Sequence, residues 1–140
     1  KTPWINWSWK TEQHYLNQHE DQKKGDDFVA RLYVIIDGGL FFWNTQALNY
    51  VWSSSKALES SWPNPYTSNN VMKVVETGDQ GVNVWQHYSR NLLADIKHLL
   101  SRDIRYIDVV AVMTDSDNTR QSAITYYGDI YFTGARSPRP

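Results

Sequence analysis

The densest polar chemistry in this sequence is the run Asp115-Ser116-Asp117-Asn118-Thr119, which spaces two carboxylates and an amide at alternate and adjacent positions. Oxygen ligands so close together suit a hard cation such as Ca²⁺, with Asp115 and Asp117 as the metal-ligand candidates. The pattern lacks the central glycine and the carboxylate at the twelfth position of an EF-hand loop. Asp and Asn side chains also bond their own backbone in turns, so a turn between two strands accounts for the same residues without a metal. A second feature is Arg31, a lone cation within the apolar run from Phe28 to Ile36. An unpaired guanidinium among apolar side chains is costly, so Arg31 is expected to contact Asp27, Asp115 or Asp129. His14 and His19 stand five apart, a spacing that matches no strong zinc pattern. No G-x-S-x-G turn, glycine-rich phosphate loop or cysteine is present, so the carboxylates Asp27 and Asp129 remain as a candidate hydrolytic pair.

The elements that must position these residues read mainly as strands. Ile5, Trp7 and Trp9 alternate with Asn6 and Ser8, and Leu48, Tyr50 and Trp52 alternate with Asn49, Val51 and Ser53. Residues 26–37 form the longest expected strand, ending at Gly38-Gly39. Residues 71–77 and 82–88 read as a hairpin about Gly78-Asp79-Gln80-Gly81. The run 107–113 is apolar enough to be placed centrally in a sheet, and 124–133 alternates as a strand with one face in the core. Leu92, Leu93, Ile96, Leu99 and Leu100 follow one helical face. A helix over about 90–101 is expected, capped by Ser89 and packed on the strand at 107–113. Residues 11–25 are polar and read as a solvent-facing loop. The Pro-rich stretch around Trp62-Pro63-Asn64-Pro65-Tyr66 is an extended, aromatic-bearing loop. Together these readings predict a mainly β fold, an antiparallel β-sandwich of jelly-roll type with one amphipathic helix on a sheet.

The bulk composition narrows the function classes. The chain has 140 residues, a single-domain length, with 1–135 as the domain and 136–140 as a loose tail. Fourteen basic and fifteen acidic residues, scattered without a basic stripe, lack the electrostatic footprint of a nucleic-acid binder. No run is long enough to span a membrane as a helix. The absence of cysteine removes disulfides, thiolate nucleophiles and cysteine-ligated zinc. Seven Trp and nine Tyr supply flat amphipathic surfaces for a ligand or a partner chain.

The motifs Trp7-x-Trp9-Lys10, Asp26-Asp27-Phe28-x-Ala30-Arg31, Ala47-Leu48-Asn49-Tyr50-Val51-Trp52-Ser53-Ser54, Asn64-Pro65-Tyr66-Thr67 and Met113-Thr114-Asp115-Ser116-Asp117-Asn118-Thr119, with Tyr127-Gly128-Asp129-Ile130, closely resemble an uncharacterised bacterial family of unknown function. The last strands are also similar to those of galactose-binding-like jelly rolls. The resemblance implies an exported, periplasmic bacterial protein whose sandwich begins with strands upstream of Trp4. Arg120 stands where the family tends to have glycine. The expected function is a non-catalytic binding domain that recognises a glycan or other polar ligand. Its candidate contact residues are Arg31, Asn49, Trp52, Trp62, Tyr66, Asp115, Asp117, Asn118, Tyr127 and Asp129, and no cofactor is required unless Ca²⁺ is bound. The alternatives are an accessory subunit that buries its aromatics against a partner chain, and a carboxylate-based hydrolase.

Overall fold

The computed structural model describes residues 1–138 and forms a mainly β fold of two sheets with one helix. The strands are β1 (Trp4–Thr11), β2 (Arg31–Ile36), β3 (Gln46–Ser53), β4 (Ser61–Pro63), β5 (Asn70–Thr77), β6 (Gln86–Asn91), β7 (Val109–Met113), β8 (Thr125–Tyr127) and β9 (Tyr131–Thr133). One sheet is centred on β1, which pairs with β6 on one side and with β8 and β9 in turn on the other. The second sheet has the order β4-β5-β3-β2-β7. Every described pairing is antiparallel except β3 with β5, which is parallel and carries a register shift between Val51 and Trp52.

The core lies between the two sheets, where the alternation of β1 and β3 takes Ile5, Trp7, Trp9, Leu48, Tyr50 and Trp52 into one cluster. Trp7 is stacked between Tyr50 and Tyr88, each ring centre 5.0 Å away and tilted by 28°. A smaller cluster of Phe28, Val51, Met72 and Val74, with Trp62 against it, covers the outer face of the five-stranded sheet.

Several elements lie elsewhere than the periodicity predicts. The run 107–113 is not a central strand. β7 is the edge of its sheet, paired with β2 alone among the described strands, and Val109, Val112 and Met113 are exposed. Apolar content tells a strand that burial is possible; it carries no information about how many neighbours the strand will have. Residues 71–88 are not a hairpin, because β5 and β6 belong to different sheets and the turn between them crosses the sandwich. The alternating run 124–133 is broken at Gly128 into two strands that both pair with β1. A Cβ at Gly128 would collide with Ser8 Oγ, so glycine is what lets the chain pass β1 this closely.

The helix α1 (Leu92–Leu100) begins two residues later than expected, because Arg90 and Asn91 still belong to β6. Its cap is Asn91, whose Oδ1 accepts from Ala94 N at 3.1 Å, and Ser89 is a strand residue. Leu92 and Ile96 are buried, with Leu99 and Leu100 against the core, whereas Leu93 is exposed. The main contacts of α1 are with β1, β3 and β6, and β7 is not among them. Residues 26–30 lie outside the β2 ladder although Phe28, Val29 and Ala30 are buried. The 11–25 segment is likewise not a free solvent loop. Tyr15 and Glu20 are buried, and Glu20 accepts hydrogen bonds from Ser53 and Ser54 at the end of β3.

Candidate functional site

Two places in the fold concentrate polar chemistry, and the sequence pointed to the first. Where β7 ends, residues 114–119 fold back over residues 26–30 at the entry to β2. Thr114 Oγ1 donates to Val29 O at 2.7 Å, Asp115 N to Phe28 O at 3.3 Å, and Phe28 N to Asp115 Oδ1 at 3.1 Å. The fully buried Asp27 carboxylate accepts from Asn118 N at 3.0 Å and Thr119 N at 2.6 Å. Arg31 Nη2 lies 3.0 Å from Asp115 Oδ2 and 3.9 Å from Asp26 Oδ1, and its guanidinium covers the Phe28 ring at 4.8 Å. The expected ion pair of Arg31 is therefore made, with Asp115. Asp26 in turn accepts from Asn64 Nδ2 at 3.1 and 3.2 Å. Tyr66, exposed, places its hydroxyl 3.3 Å from Asn118 Oδ1.

Burial pushes the carboxyls of Asp26 and Asp115 up, against the opposing pull of Arg31. Tyr15, which donates to Asp115 O at 2.8 Å, has its hydroxyl pushed up to about 12, first by burial and then by the charges of Asp115 and Asp27. Asp27, Asp115 and Asp117 bring one carboxylate oxygen each within 4.8 Å of one another, a spacing that a divalent cation could bridge. The oxygens of Asp27 and Asp115 are already engaged by backbone amides and by Arg31. Asp117 alone of the three is exposed. The arrangement works chemically as a clamp that ties the start of β2 to the end of β7.

The other candidates are dispersed. Trp52 is buried, with its Nε1 donating to Gly78 O at 2.9 Å. Asn49 is fully buried on the outer face of β3, with Nδ2 3.4 Å from Val71 O and Oδ1 unpartnered among the described residues. Trp62 is tilted against Phe28 at 6.3 Å. Tyr127 donates its hydroxyl to Met113 O at 2.7 Å, and burial raises its pKa. Arg120 has φ +57°, so the left-handed turn that glycine would ease is made here by arginine.

The second place is a cleft of about 480 Å³, a volume suited to a small ligand, between β6, β1, β9, the turn at 58–59 and residues 136–138. Asp129 is the one candidate from the sequence that lines it. Trp7, Tyr88 and Tyr131 supply rings, and Glu59, His87, Ser89, Arg90 and Arg136 supply polar groups. Among the described residues Trp7 Nε1 is buried with no hydrogen-bond partner. Asp129 and Arg136 make no ion pair among the described residues. Residues 136–138 form part of the wall, fastened where Ser137 N donates to Ser89 Oγ at 3.1 Å. On the opposite wall Arg90 forks between Asp95 (Nε–Oδ2 3.0 Å) and Glu59 (Nη1–Oε1 2.6 Å), and Tyr50 donates to Asp95 Oδ2 at 2.7 Å. Sequence reasoning missed Glu59, Arg90 and Arg136 because they come from a turn, a strand and the C-terminal segment, and share no spacing. Only β1 and β6, by pairing, bring Trp7 beside Tyr88.

A family model for a protein of unknown function (DUF3047) matches residues 1–131. The chain belongs to the DUF3047 family. No curated protein and no solved structure matches it. For a DUF3047 member the family thus gives kinship without chemistry, and the cleft and the clamp stand on their own geometry. No helix among the described residues is long and apolar enough to cross a membrane.

Proposed function

We propose that this chain is a non-catalytic binding domain of an exported bacterial protein, and that it holds a glycan or similar polar ligand in the cleft beside β6. The observation that carries the reading is the company kept by Trp7. Trp7, whose buried indole N–H has no hydrogen-bond partner among the described residues, lines a ligand-sized cleft together with an exposed tyrosine ring and with Asp129 and Arg136, which make no ion pair among the described residues. Buried donors are nearly always satisfied, so an orphan on a side chain that lines a cleft is a reason to look there for a ligand whose entry lets the ring shift and meet an acceptor. Sugars offer what such a site takes: hydroxyls for Asp129 and Arg136, and C–H faces for the rings. The exported setting and a jelly-roll kinship are further parts of the proposal and are supported by the motif resemblance. Asp27 and Asp129 do not face each other across this cleft, since Asp27 is buried in the clamp, and this weighs against a hydrolase built on that pair.

The test is an NMR titration of the ¹⁵N-labelled chain with a panel of mono- and disaccharides. Binding should shift the Trp7 indole signal and the amides of Ser89, Asp129 and Tyr131. Trp7→Phe, which keeps an aromatic ring and removes the donor, should weaken the binding. A panel that leaves all of these signals unmoved overturns the reading.

A second reading, an accessory subunit docking on a larger protein, is favoured by a different observation. Leu40, Phe41, Phe42 and Trp43 are exposed together in one turn, and the edge strand β7 exposes Val109, Val112 and Met113. Concentration-dependent self-association, or a partner co-purified from a native host and lost in a Phe42→Ser/Trp43→Ser variant, would favour it.

A further inference from the structure

Glu59 is a non-glycine residue in the left-handed region, at φ +68°, and its side chain lies on the wall of the cleft. Its carboxylate spans two cations: Oε1 is 2.6 Å from Arg90 Nη1, and Oε2 is 2.9 Å from Lys73 Nζ. The cations are the better-buried partners, with side chains 21% and 10% exposed, while the Glu59 side chain is 59% exposed. Arg90 is also braced by Asp95, and Lys73 Nζ donates to Glu59 O at 2.7 Å, so both heads are fixed by the fold whether or not the Glu59 carboxylate stays. Against the opposing effect of burial, hydrogen bonds from Arg90 and Lys73 hold the Glu59 carboxyl below its usual range. The fold thus holds a preformed carboxylate seat at the edge of the cleft, with Glu59 and Arg90 among the lining residues and Lys73 outside them, filled by a solvent-facing side chain on a strained turn. Strain at an observed backbone outlier is a reason to look for a role there.

We propose that Glu59 stands in for the carboxylate of an acidic sugar, and that a hexuronate entering the cleft displaces Glu59 and takes its place between Arg90 and Lys73. This rests on the cleft being the ligand site and narrows the ligand from polar to anionic. Arg90 supplies the planar fork that matches a carboxylate, and Lys73 supplies the point charge. The sugar ring then lies toward Tyr131 and Asp129, and Arg136 closes the side made by the C-terminal segment.

The experiment titrates the 140-residue chain and two variants with D-galacturonate and with D-galactose, its neutral counterpart, by calorimetry and NMR. Glu59→Gly removes the competing carboxylate at a φ that glycine adopts freely. Glu59→Gln serves if the glycine variant lacks a cooperative melt. Galacturonate should bind in the cleft, more weakly as salt is raised, and about tenfold more tightly to the Glu59 variant, equivalent to one ion pair no longer displaced. Galactose affinity should not change. Equal binding of both sugars in the cleft, unaffected by the substitution, would overturn the surrogate role and leave the cleft reading standing. Binding of galactose alone would do the same. If neither sugar moves any cleft signal in wild type or variant, the surrogate role is overturned, and the wider saccharide panel decides the cleft separately.

Discussion

Arg31 Nη2 sits 3.0 Å from Asp115 Oδ2, joining the first residue of β2 to the loop that leaves β7, with both side chains largely shielded from solvent. The pair closes the outer face of the sheet at the point where the ladder between the two strands ends, at Arg31 opposite Met113. Removing Asp115 leaves the buried Arg31 charge with only the more distant Asp26 carboxylate, 3.9 Å away, so Asp115→Ala should destabilise by about 3 kcal/mol, the low end of the cost of breaking a buried pair. Replacing both with apolar residues, Arg31→Met with Asp115→Leu, should cost much less than the single change. The backbone bond from Phe28 N to Asp115 is lost in either case, which sets a floor on the cost of the double variant. Urea melts of the three chains measure the difference. Equal losses in single and double variants would show that the ion pair itself is not what Asp115 contributes.

Glu20 gives the fold a pH dependence of definite sign. Its carboxylate is fully buried at the end of β3, and desolvation raises its pKa above 4.5 despite the hydrogen bonds from Ser53 and Ser54. A folded-state pKa above the unfolded value means that the folded chain holds the proton more tightly. The stability contributed by protonated Glu20 is therefore fully present below the unfolded value and is lost as pH rises through the folded one. Glu20→Gln does not titrate and resembles the protonated carboxyl, so wild type should lose stability relative to the variant as pH rises from acid toward neutral. Denaturation at about pH 4 and about pH 8 reads that difference. A wild type that gains stability relative to the variant as pH rises contradicts the burial argument.

What the residues revealed and what they concealed divides along physical lines. Alternation in β1 and β3 placed Ile5, Trp7, Trp9, Leu48, Tyr50 and Trp52 in the core, because one buried face leaves a period of two in the sequence. The need of Arg31 for a carboxylate was equally readable, since the cost of a bare buried charge is large and local. Pairing was not readable. The partners of β7 and β6 are set by long-range packing, so an apolar run became an edge and an apparent hairpin was split between two sheets. The helix stripe was visible, but its start depended on how far β6 stayed paired to β1, and Leu93 fell on the outer side as a result. The cleft was hardest to foresee, because its walls come from six separate stretches of chain and only Asp129 had drawn notice for its type. Arg120 carries the corresponding lesson for turns: its left-handed backbone is imposed by the bonds around residues 116–120, including Arg120 N to Ser116 O at 2.9 Å, and not by its side chain.

The passage of Gly128 over β1 yields a test of the edge on which β8 and β9 both depend. Gly128 N donates to Ser8 O at 2.9 Å between the two short strands, and an added Cβ would collide with Ser8 Oγ while the Ser8 Cβ stays at an ordinary 3.4 Å. The clash is therefore with one hydroxyl and not with backbone. Gly128→Ala should destabilise by about 1 to 3 kcal/mol, the usual cost of forcing extra volume into a packed contact. Ser8→Ala should cost little alone, since Ser8 Oγ makes no hydrogen bond among the described residues. Combined with Gly128→Ala it should restore most of the loss, giving a coupling energy of the kind that contacting residues show. Thermal melts of the four chains in that cycle measure it. If the two substitutions simply add, the strand break at Gly128 is required by backbone conformation and not by the close approach to Ser8.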